Sequence, residues 1–131
     1  MTKILALDLG QSRIGVAISE EDIVSSLPII DSKNREQTIG KILEIVRNED
    51  IKKIILGLPV GNSQSEDIVR SFAIELNKII SIPIEFEDET LTSKEAERIL
   101  MNSKINVRSK KFKEEVDKIS AKLILEQYLR R

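Results

Sequence analysis

The stretch Ile4-Leu5-Ala6-Leu7-Asp8-Leu9-Gly10 carries one carboxylate to the end of four consecutive apolar residues. An apolar run of this kind predicts a buried strand, and Gly10 permits a tight turn after it. The next run, Arg13-Ile14-Gly15-Val16-Ala17-Ile18, then folds back as the second strand of a hairpin. A buried ionised carboxylate is unfavourable by several kcal/mol unless it is paired or binds a metal. Asp8 is therefore either a functional group at the mouth of a sheet or a residue that caps the turn.

Hydrophobic periodicity along the chain predicts the order β-β-β-α-β-α-β-α-α. The predicted strands cover residues 3–9, 14–19, 23–30, 51–57 and 82–87. The predicted helices cover residues 34–50, 65–80 and 92–101 and the segment from 112 nearly to 131, and residues 102–111 form a polar connection. The third helix begins with the capping-box pattern Thr92-Ser93-Lys94-Glu95. Short turns favour an antiparallel meander of the first three strands, and right-handed crossovers make the later strands parallel.

These elements predict an α/β fold with a five-stranded mixed sheet flanked by helices. The sheet consists of a three-strand antiparallel meander plus two parallel strands. A chain of 131 residues with 40% apolar content is sufficient for one ordinary core, so residues 1–131 are expected to form a single domain. Binding sites in such sheets lie beyond the carboxyl ends of the strands.

The composition excludes several kinds of chemistry. The chain has no cysteine and no histidine, which excludes disulfides, thiol nucleophiles, most zinc sites and a histidine general base. Carboxylates, lysines and hydroxyls remain, and carboxylates favour hard cations such as Mg²⁺ or Mn²⁺. The sequence has no charged segment followed by a long apolar run and no stretch of membrane-spanning length, so a soluble cytoplasmic protein is expected.

Charge is distributed unevenly along a chain whose net charge is −1. Residues 1–90 contain 10 basic and 16 acidic residues, whereas residues 92–131 contain 11 basic and 6 acidic residues. This asymmetry indicates either contact with a polyanion or a solvated helical surface.

Two further acidic positions could join Asp8 at the edge of the sheet. The pair Asp88-Glu89 follows the predicted strand 82–87 and precedes the third helix, where acids also interact favourably with the helix dipole. Asp117 lies one residue from the core-facing Val116 of the last helix. An ion pair with Lys113, one turn earlier, is the alternative explanation for Asp117.

Four motifs in order make the chain resemble the YqgF/RuvX family, a group of Holliday-junction-resolvase-like nucleases. The opening motif is Asp8-Leu9-Gly10-Gln11-Ser12-Arg13-Ile14-Gly15. The others are Gly57-Leu58-Pro59, Asp88-Glu89-Thr90-Leu91-Thr92-Ser93 and Val116-Asp117-Lys118-Ile119-Ser120-Ala121. The resemblance implies a ribonuclease H-like fold and a metal-dependent endonuclease that matures the 5′ end of 16S ribosomal RNA from its precursor.

The same resemblance implies roles for individual residues. Asp8 and Asp117 are expected to be ligands of one or two Mg²⁺ or Mn²⁺ ions, with Glu89 or Asp88 as the acid between them. Glu89 is slightly preferred, because Asp88 could instead orient the loop. Divalent ions held in this way activate water and stabilise the leaving oxygen.

Basic side chains near the last helix are candidates for contacts with phosphate groups. Such contacts give affinity without reading the sequence, and only 3% of the residues are aromatic, which disfavours base stacking. Arg13 either joins this set or neutralises Asp8 or a neighbouring acid. The other candidates are Lys104, Arg108, Lys110, Lys111 and Lys113.

One segment departs from the family pattern. After Gly57-Leu58-Pro59 the family usually continues with Asn and Gly, whereas this chain reads Val60-Gly61-Asn62-Ser63. The shifted spacing puts a phosphate-binding role of this loop in doubt, although Asn62 and Ser63 could still supply hydrogen bonds.

Other functions compete with processing of ribosomal RNA. The same fold could act on a four-way DNA junction, or the protein could be a non-catalytic partner of nucleic acid or of the ribosome. An Asp-x-Gly hairpin also opens the actin-like and sugar-kinase ATPases, but their sites lie between two such domains. The sequence leaves both a monomer and a homodimer open.

Overall fold

The computed structural model describes residues 2–90, 92–101, 103 and 105–131. The strands are β1 (Lys3–Leu9), β2 (Arg13–Glu20), β3 (Ile23–Asp31), β4 (Ile51–Leu58) and β5 (Ile84–Asp88). The helices are α1 (Arg35–Asn48), α2 (Ser63–Asn77), α3 (Thr92–Met101) and α4 (Lys110–Leu129). None of the helices in these ranges is both long enough and apolar enough to cross a membrane.

The five strands form one sheet in the order β3-β2-β1-β4-β5. Strands β1, β2 and β3 pair in antiparallel fashion, whereas β4 runs parallel to β1 and β5 runs parallel to β4. The predicted five-stranded mixed sheet flanked by helices is thereby confirmed. Strand β1 lies at its centre, so its carboxyl end is the point where the antiparallel and parallel halves meet.

Several boundaries differ from the sequence-based expectation by one to three residues, and hydrogen bonding explains two of these differences. Helix α2 begins at Ser63 instead of residue 65, since the side chain of Asn62 caps it by accepting a hydrogen bond from the Ser65 amide at 3.1 Å. Asn62 belongs to the segment that departs from the family pattern, and its side-chain oxygen is occupied by this cap. Strand β5 begins at Ile84 instead of residue 82, because Pro83 has no amide hydrogen to donate to the ladder.

Hydrogen bonds also mark the starts of the last two helices. Helix α4 begins two residues earlier than expected, because the Ser109 side chain accepts a hydrogen bond from the Phe112 amide at 3.0 Å. Helix α3 begins at Thr92 as predicted, but the Thr92 hydroxyl donates to the Glu89 carbonyl oxygen at 3.0 Å. Thr92 thus connects α3 to the acidic loop before it.

The helices cover both faces of the sheet. One core lies between the sheet and helices α1 and α2, and its fully buried members include Leu5, Leu7, Leu56, Phe72 and Leu76. The second core lies under α4 and contains Ile4, Ala6, Ala17, Ile55, Ala121, Ile124 and Leu125. Successive side chains of a strand point to opposite faces. Because Ile4 and Ala6 face α4, Asp8 faces α4 as well.

Small residues on the α4 side of the sheet allow this helix to approach closely. A Cβ atom built on Gly15 of β2 would lie 2.1 Å from the backbone carbonyl oxygen of Asp117. No side chain fits at that distance, so glycine at position 15 is required for the observed position of α4. Because Gly15 is directly opposite Asp8 in the β1–β2 ladder, the same approach brings Asp117 near Asp8.

We predict that Gly15→Ala lowers the free energy of unfolding by about 1–3 kcal/mol, because the added methyl group forces α4 away from the sheet. Gly40→Ala is the matched control, since a Cβ at exposed Gly40 of α1 would meet no atom within 4 Å. The control is expected to gain about 0.5–1 kcal/mol. Urea unfolding of both variants measures these effects, and equal stability of the two would contradict the assigned role of Gly15.

Candidate active site

Asp8 is a buried acid at the carboxyl end of the central strand. Only 7% of the surface of Asp8 is exposed to solvent. Burial raises the pKa of Asp8 well above its usual value, and the negative charges of Glu89 and Asp117 and a hydrogen bond with Glu89 raise it further. A simple turn cap would be stabilised in its ionised form, so the surroundings of Asp8 do not match the capping alternative.

Glu89 reaches the same place from the end of β5. It directly follows β5 and continues the alternation of that strand, in which Glu85 and Glu87 contact α4. Its amide donates to the carbonyl oxygen of Leu58 at 3.0 Å. A Cβ at Gly57 would lie 2.6 Å from Oε2 of Glu89, so the glycine of β4 leaves the space that this carboxylate occupies.

The carboxylates of Asp8 and Glu89 interact directly with each other. Burial raises the pKa of Glu89, a hydrogen bond with Asp8 lowers it, and the charges of Asp88 and Asp117 raise it. Two carboxylates in direct contact repel each other strongly when both are ionised. The raised pKa of Asp8 therefore reflects a site that disfavours a second negative charge beside Glu89.

Asp117 completes the group of acids from the side of α4. Its Oδ2 accepts a hydrogen bond from Nε of Arg13 at 2.6 Å, and both side chains are about one-fifth exposed. Burial raises the pKa of Asp117, while the hydrogen bond and charge of Arg13 oppose that increase. The partner of Asp117 is thus Arg13 and not Lys113, and Arg13 has the neutralising contact that was one of its two expected roles.

Asp88 does not join the pair. Its position in β5 directs it to the sheet face opposite Glu89, and its Oδ1 accepts hydrogen bonds from the amide of Thr90 at 2.8 Å and from the Thr90 hydroxyl. These bonds lower the pKa of Asp88. The geometry therefore matches the expectation that Asp88 orients the loop, and it favours Glu89 as the acid near Asp8.

The donor set at this edge of the sheet is suited to a divalent cation. Oε2 of Glu89 is buried and has no hydrogen-bond partner among the described residues, and carboxylate oxygens are the ligands that Mg²⁺ and Mn²⁺ prefer. No group of three acids within the described ranges is gathered tightly enough to hold a metal ion. The residues therefore provide two convergent ligands, Asp8 and Glu89, with Asp117 beside them and held by Arg13. Their role as metal ligands stays a prediction.

The predicted phosphate-binding residues are distributed along α4 and the segment before it. Arg108, Lys110, Lys111 and Lys113 are all exposed. Lys110 has an acidic neighbour, with its Nζ 3.8 Å from Oε1 of Glu114. Lys104 lies outside the described residues. Of the predicted basic residues that are described, Arg13 is the one in direct contact with the acidic group.

Sequence analysis missed a buried acid that connects β5 to the end of α4. Glu87 is 1% exposed, accepts a hydrogen bond from Gln127 and lies 2.9 Å from a guanidinium nitrogen of Arg131. Gln127 also donates to the carbonyl oxygen of Asp88 at 3.0 Å. These contacts fix the strand end that carries Glu89 against the helix that carries Asp117. The alternation of Glu85, Glu87 and Glu89 was the available signal.

We predict that Asp8→Asn stabilises the metal-free protein by about 0.5–2 kcal/mol at neutral pH, since the amide removes a buried repulsive charge. The native pKa of Asp8 lies above its unfolded value, so the native state binds more protons between the two values. Stability of the unsubstituted protein therefore falls as pH rises through this window, and Asp8→Asn flattens that decline. Urea unfolding in EDTA, at pH values from the usual aspartate pKa of 3.8 up to neutral pH, measures both effects. A less stable variant with an unchanged pH profile would contradict the prediction.

Comparison with known sequences identifies the family of this chain. The family model described as "RuvX: Holliday junction resolvase" matches residues 2–131. A relative from Syntrophus aciditrophicus is 40% identical over 134 residues, which cover 97% of this chain and 87% of the relative. Another, from Malacoplasma penetrans, is 37% identical over 135 residues, covering 98% of this chain and 94% of the relative. Both carry the name "Putative pre-16S rRNA nuclease".

Comparison with solved structures gives the same fold. RuvC of T. thermophilus in complex with a Holliday junction substrate superposes with a TM-score of 0.58 at 12% identity, covering 99% of this chain and 96% of RuvC. At that identity the likeness shows the fold alone, which is the ribonuclease H-like arrangement expected from the sequence. The motifs of the sequence, the topology of the sheet and the match over residues 2–131 agree, and the chain belongs to the RuvX family of nucleases, enzymes that hydrolyse phosphodiester bonds.

Proposed function

We propose that this protein is a metal-dependent endonuclease of the cytoplasm that matures the 5′ end of precursor 16S ribosomal RNA, free or in a ribosomal precursor. The observation that carries the proposal is the pair of neighbouring carboxylates, buried Asp8 and half-buried Glu89, at the carboxyl edge of the sheet beside Asp117. The names of the relatives support ribosomal RNA as the substrate.

The acids have different roles in the proposed mechanism. Asp8 and Glu89 hold the cation, because their carboxylates converge and one oxygen of Glu89 has no donor among the described residues. When bound, Mg²⁺ or Mn²⁺ supplies an activated water and stabilises charge on the leaving oxygen. Asp117 lies next to this pair, and Arg13 holds its carboxylate in place. A general base from histidine is not needed, which is consistent with a chain that has none.

A four-way DNA junction is the second candidate substrate. The description of the family model names Holliday junction resolution, and this description favours the junction. The acid group serves both substrates equally well, because hydrolysis of a phosphodiester requires the same groups in RNA and in DNA. The choice between them depends on surfaces that hold the backbone outside the acid group.

Substitution of the acids tests the proposed mechanism. We expect Asp8→Asn and Glu89→Gln each to lower the cleavage rate by about 100-fold or more, since a metal ligand contributes at least as much as the groups that orient it. Asp88→Asn should cause a smaller loss, because Asp88 holds the turn at Thr90. Cleavage of a precursor 16S RNA fragment with Mn²⁺ or Mg²⁺ is the assay, and Mn²⁺ affinity should fall in parallel.

Asp22→Asn is the matched control for charge removal. Asp22 is exposed in the β2–β3 turn and has a φ of 69°, a conformation that asparagine adopts readily. The control is expected to keep full activity. Unchanged cleavage by Asp8→Asn would eliminate the proposed mechanism, and absence of Mn²⁺ binding by the unsubstituted protein would favour a non-catalytic nucleic-acid-binding role.

A side-by-side assay distinguishes the two substrates. The unsubstituted protein is offered the precursor RNA fragment and a four-way DNA junction at equal concentrations, and kcat/KM is measured for each. We expect a preference of at least about tenfold for the RNA, equivalent to about 1.4 kcal/mol of transition-state discrimination. A preference for the junction would reverse the assignment of the substrate while leaving the nuclease mechanism intact.

A further inference from the structure

We propose that a groove between the start of β2, the end of β3 and the first half of α4 binds the sugar-phosphate backbone of the substrate next to the acids. The groove has a volume of about 320 Å³ and is open to solvent. This inference rests on the proposed function for the class of ligand, and it adds a binding surface that includes two lysines absent from the predicted set, Lys33 and Lys118.

The charge of the groove favours a polyanion. Its lining contains four cationic side chains, Arg13, Lys33, Lys110 and Lys118, against two acidic ones, Asp31 and Glu114. Arg13 is engaged by Asp117 and Lys110 by Glu114. Within the part of the chain that the structure describes, Lys33 and Lys118 form no ion pair, so their charges are available to a ligand.

The groove is adjacent to the acids through both of its walls. On α4, Lys110, Glu114 and Lys118 follow one another at four-residue intervals and line the groove. Asp117 precedes Lys118 and is rotated from it by about 100° around the helix axis, toward the sheet. On the other wall, Arg13 lines the groove and also contacts Asp117. A nucleic-acid strand that is bound in the groove therefore passes next to the acid group.

The wall that carries Lys33 is held in a defined position. The amide of Ser32 donates to the carbonyl oxygen of Ser12 at 3.0 Å, which connects the segment after β3 to the start of β2. The amide of Lys33 donates to Oδ1 of Asp31 at 2.9 Å. The lysine side chain thus extends from a fixed backbone. No aromatic residue lines the groove in the described ranges, so its chemistry suits phosphate and not stacked bases.

The salt dependence of binding tests this groove without relying on cleavage. Binding of a precursor 16S RNA fragment and of a four-way DNA junction is measured in EDTA over a range of salt concentrations. Each lost phosphate contact reduces the slope of log K against log[salt] by about 0.7 for single strands and about 0.9 for duplex. The Lys33→Gln/Lys118→Gln variant should therefore lose about 1.4–1.8 from the slope, and Lys33→Arg/Lys118→Arg should retain it.

Lys41→Gln/Lys78→Gln is the control with the same change in charge. Both residues are exposed, Lys41 on α1 and Lys78 directly after α2, on the opposite face of the sheet from α4. The slope of this control should equal that of the unsubstituted protein. In the cleavage assay, the groove variant should show a raised KM with kcat nearly unchanged, which a general loss of structure would not produce.

The outcomes separate this proposal from the proposed function. An unchanged slope in the groove variant, or an equal loss in the control, overturns the groove even if the protein cleaves RNA. A slope that depends on Lys33 and Lys118 in a protein that cleaves neither substrate supports the groove and overturns the nuclease mechanism. A larger effect on the junction than on the RNA assigns the groove to DNA.

Discussion

The close approach of α4 to Gly15 determines where every other group of the site lies. Because a helix is a rigid element, contact at Asp117 also sets the positions of the residues that follow it on the same side. Ala121 and Ile124 pack on the small and branched residues of the central strands, and Gln127 reaches Glu87 at the far strand. The contact between Gly15 and the backbone of Asp117, which leaves no room for a methyl group, therefore aligns the β1–β2 hairpin, the end of β5 and α4. These three regions are far apart in sequence.

The same alignment brings acidic side chains together at a place where their negative charges do not stabilise the folded state. Asp8 is buried and Glu89 is half-buried, and the pKa of each is raised because desolvation disfavours the charged form. The apolar cores on both faces of the sheet, together with the contacts of Glu87 to Gln127 and Arg131, hold the acids in this unfavourable position. Unfavourable electrostatics supported by the surrounding structure is a feature of functional sites.

Local patterns in the sequence were sufficient for the fold but only partly for the site. Apolar runs and turn residues gave the order of all nine elements, because strand and helix periodicities are local properties. The expectation from the sequence preferred Glu89 to Asp88 only slightly, although side-chain alternation along β5 places the two on opposite faces of the sheet. The pair of Arg13 and Asp117 spans 104 residues, and no local pattern indicates it. The Gly15 contact with Asp117 and the grouping of Lys33 with Lys118 depend equally on how distant elements pack.

The three acids of the site are accommodated in two different ways. Asp8 and Glu89 have raised pKa values, because burial and the neighbouring negative charges disfavour two ionised carboxylates side by side, whereas the charge of Asp117 is balanced by Arg13. A divalent cation, which Asp8 and Glu89 would hold under the proposed function, would offset their negative charge. Arg13 contacts Asp117 and also lines the groove. The proposed catalytic acids and the proposed groove therefore meet at Arg13.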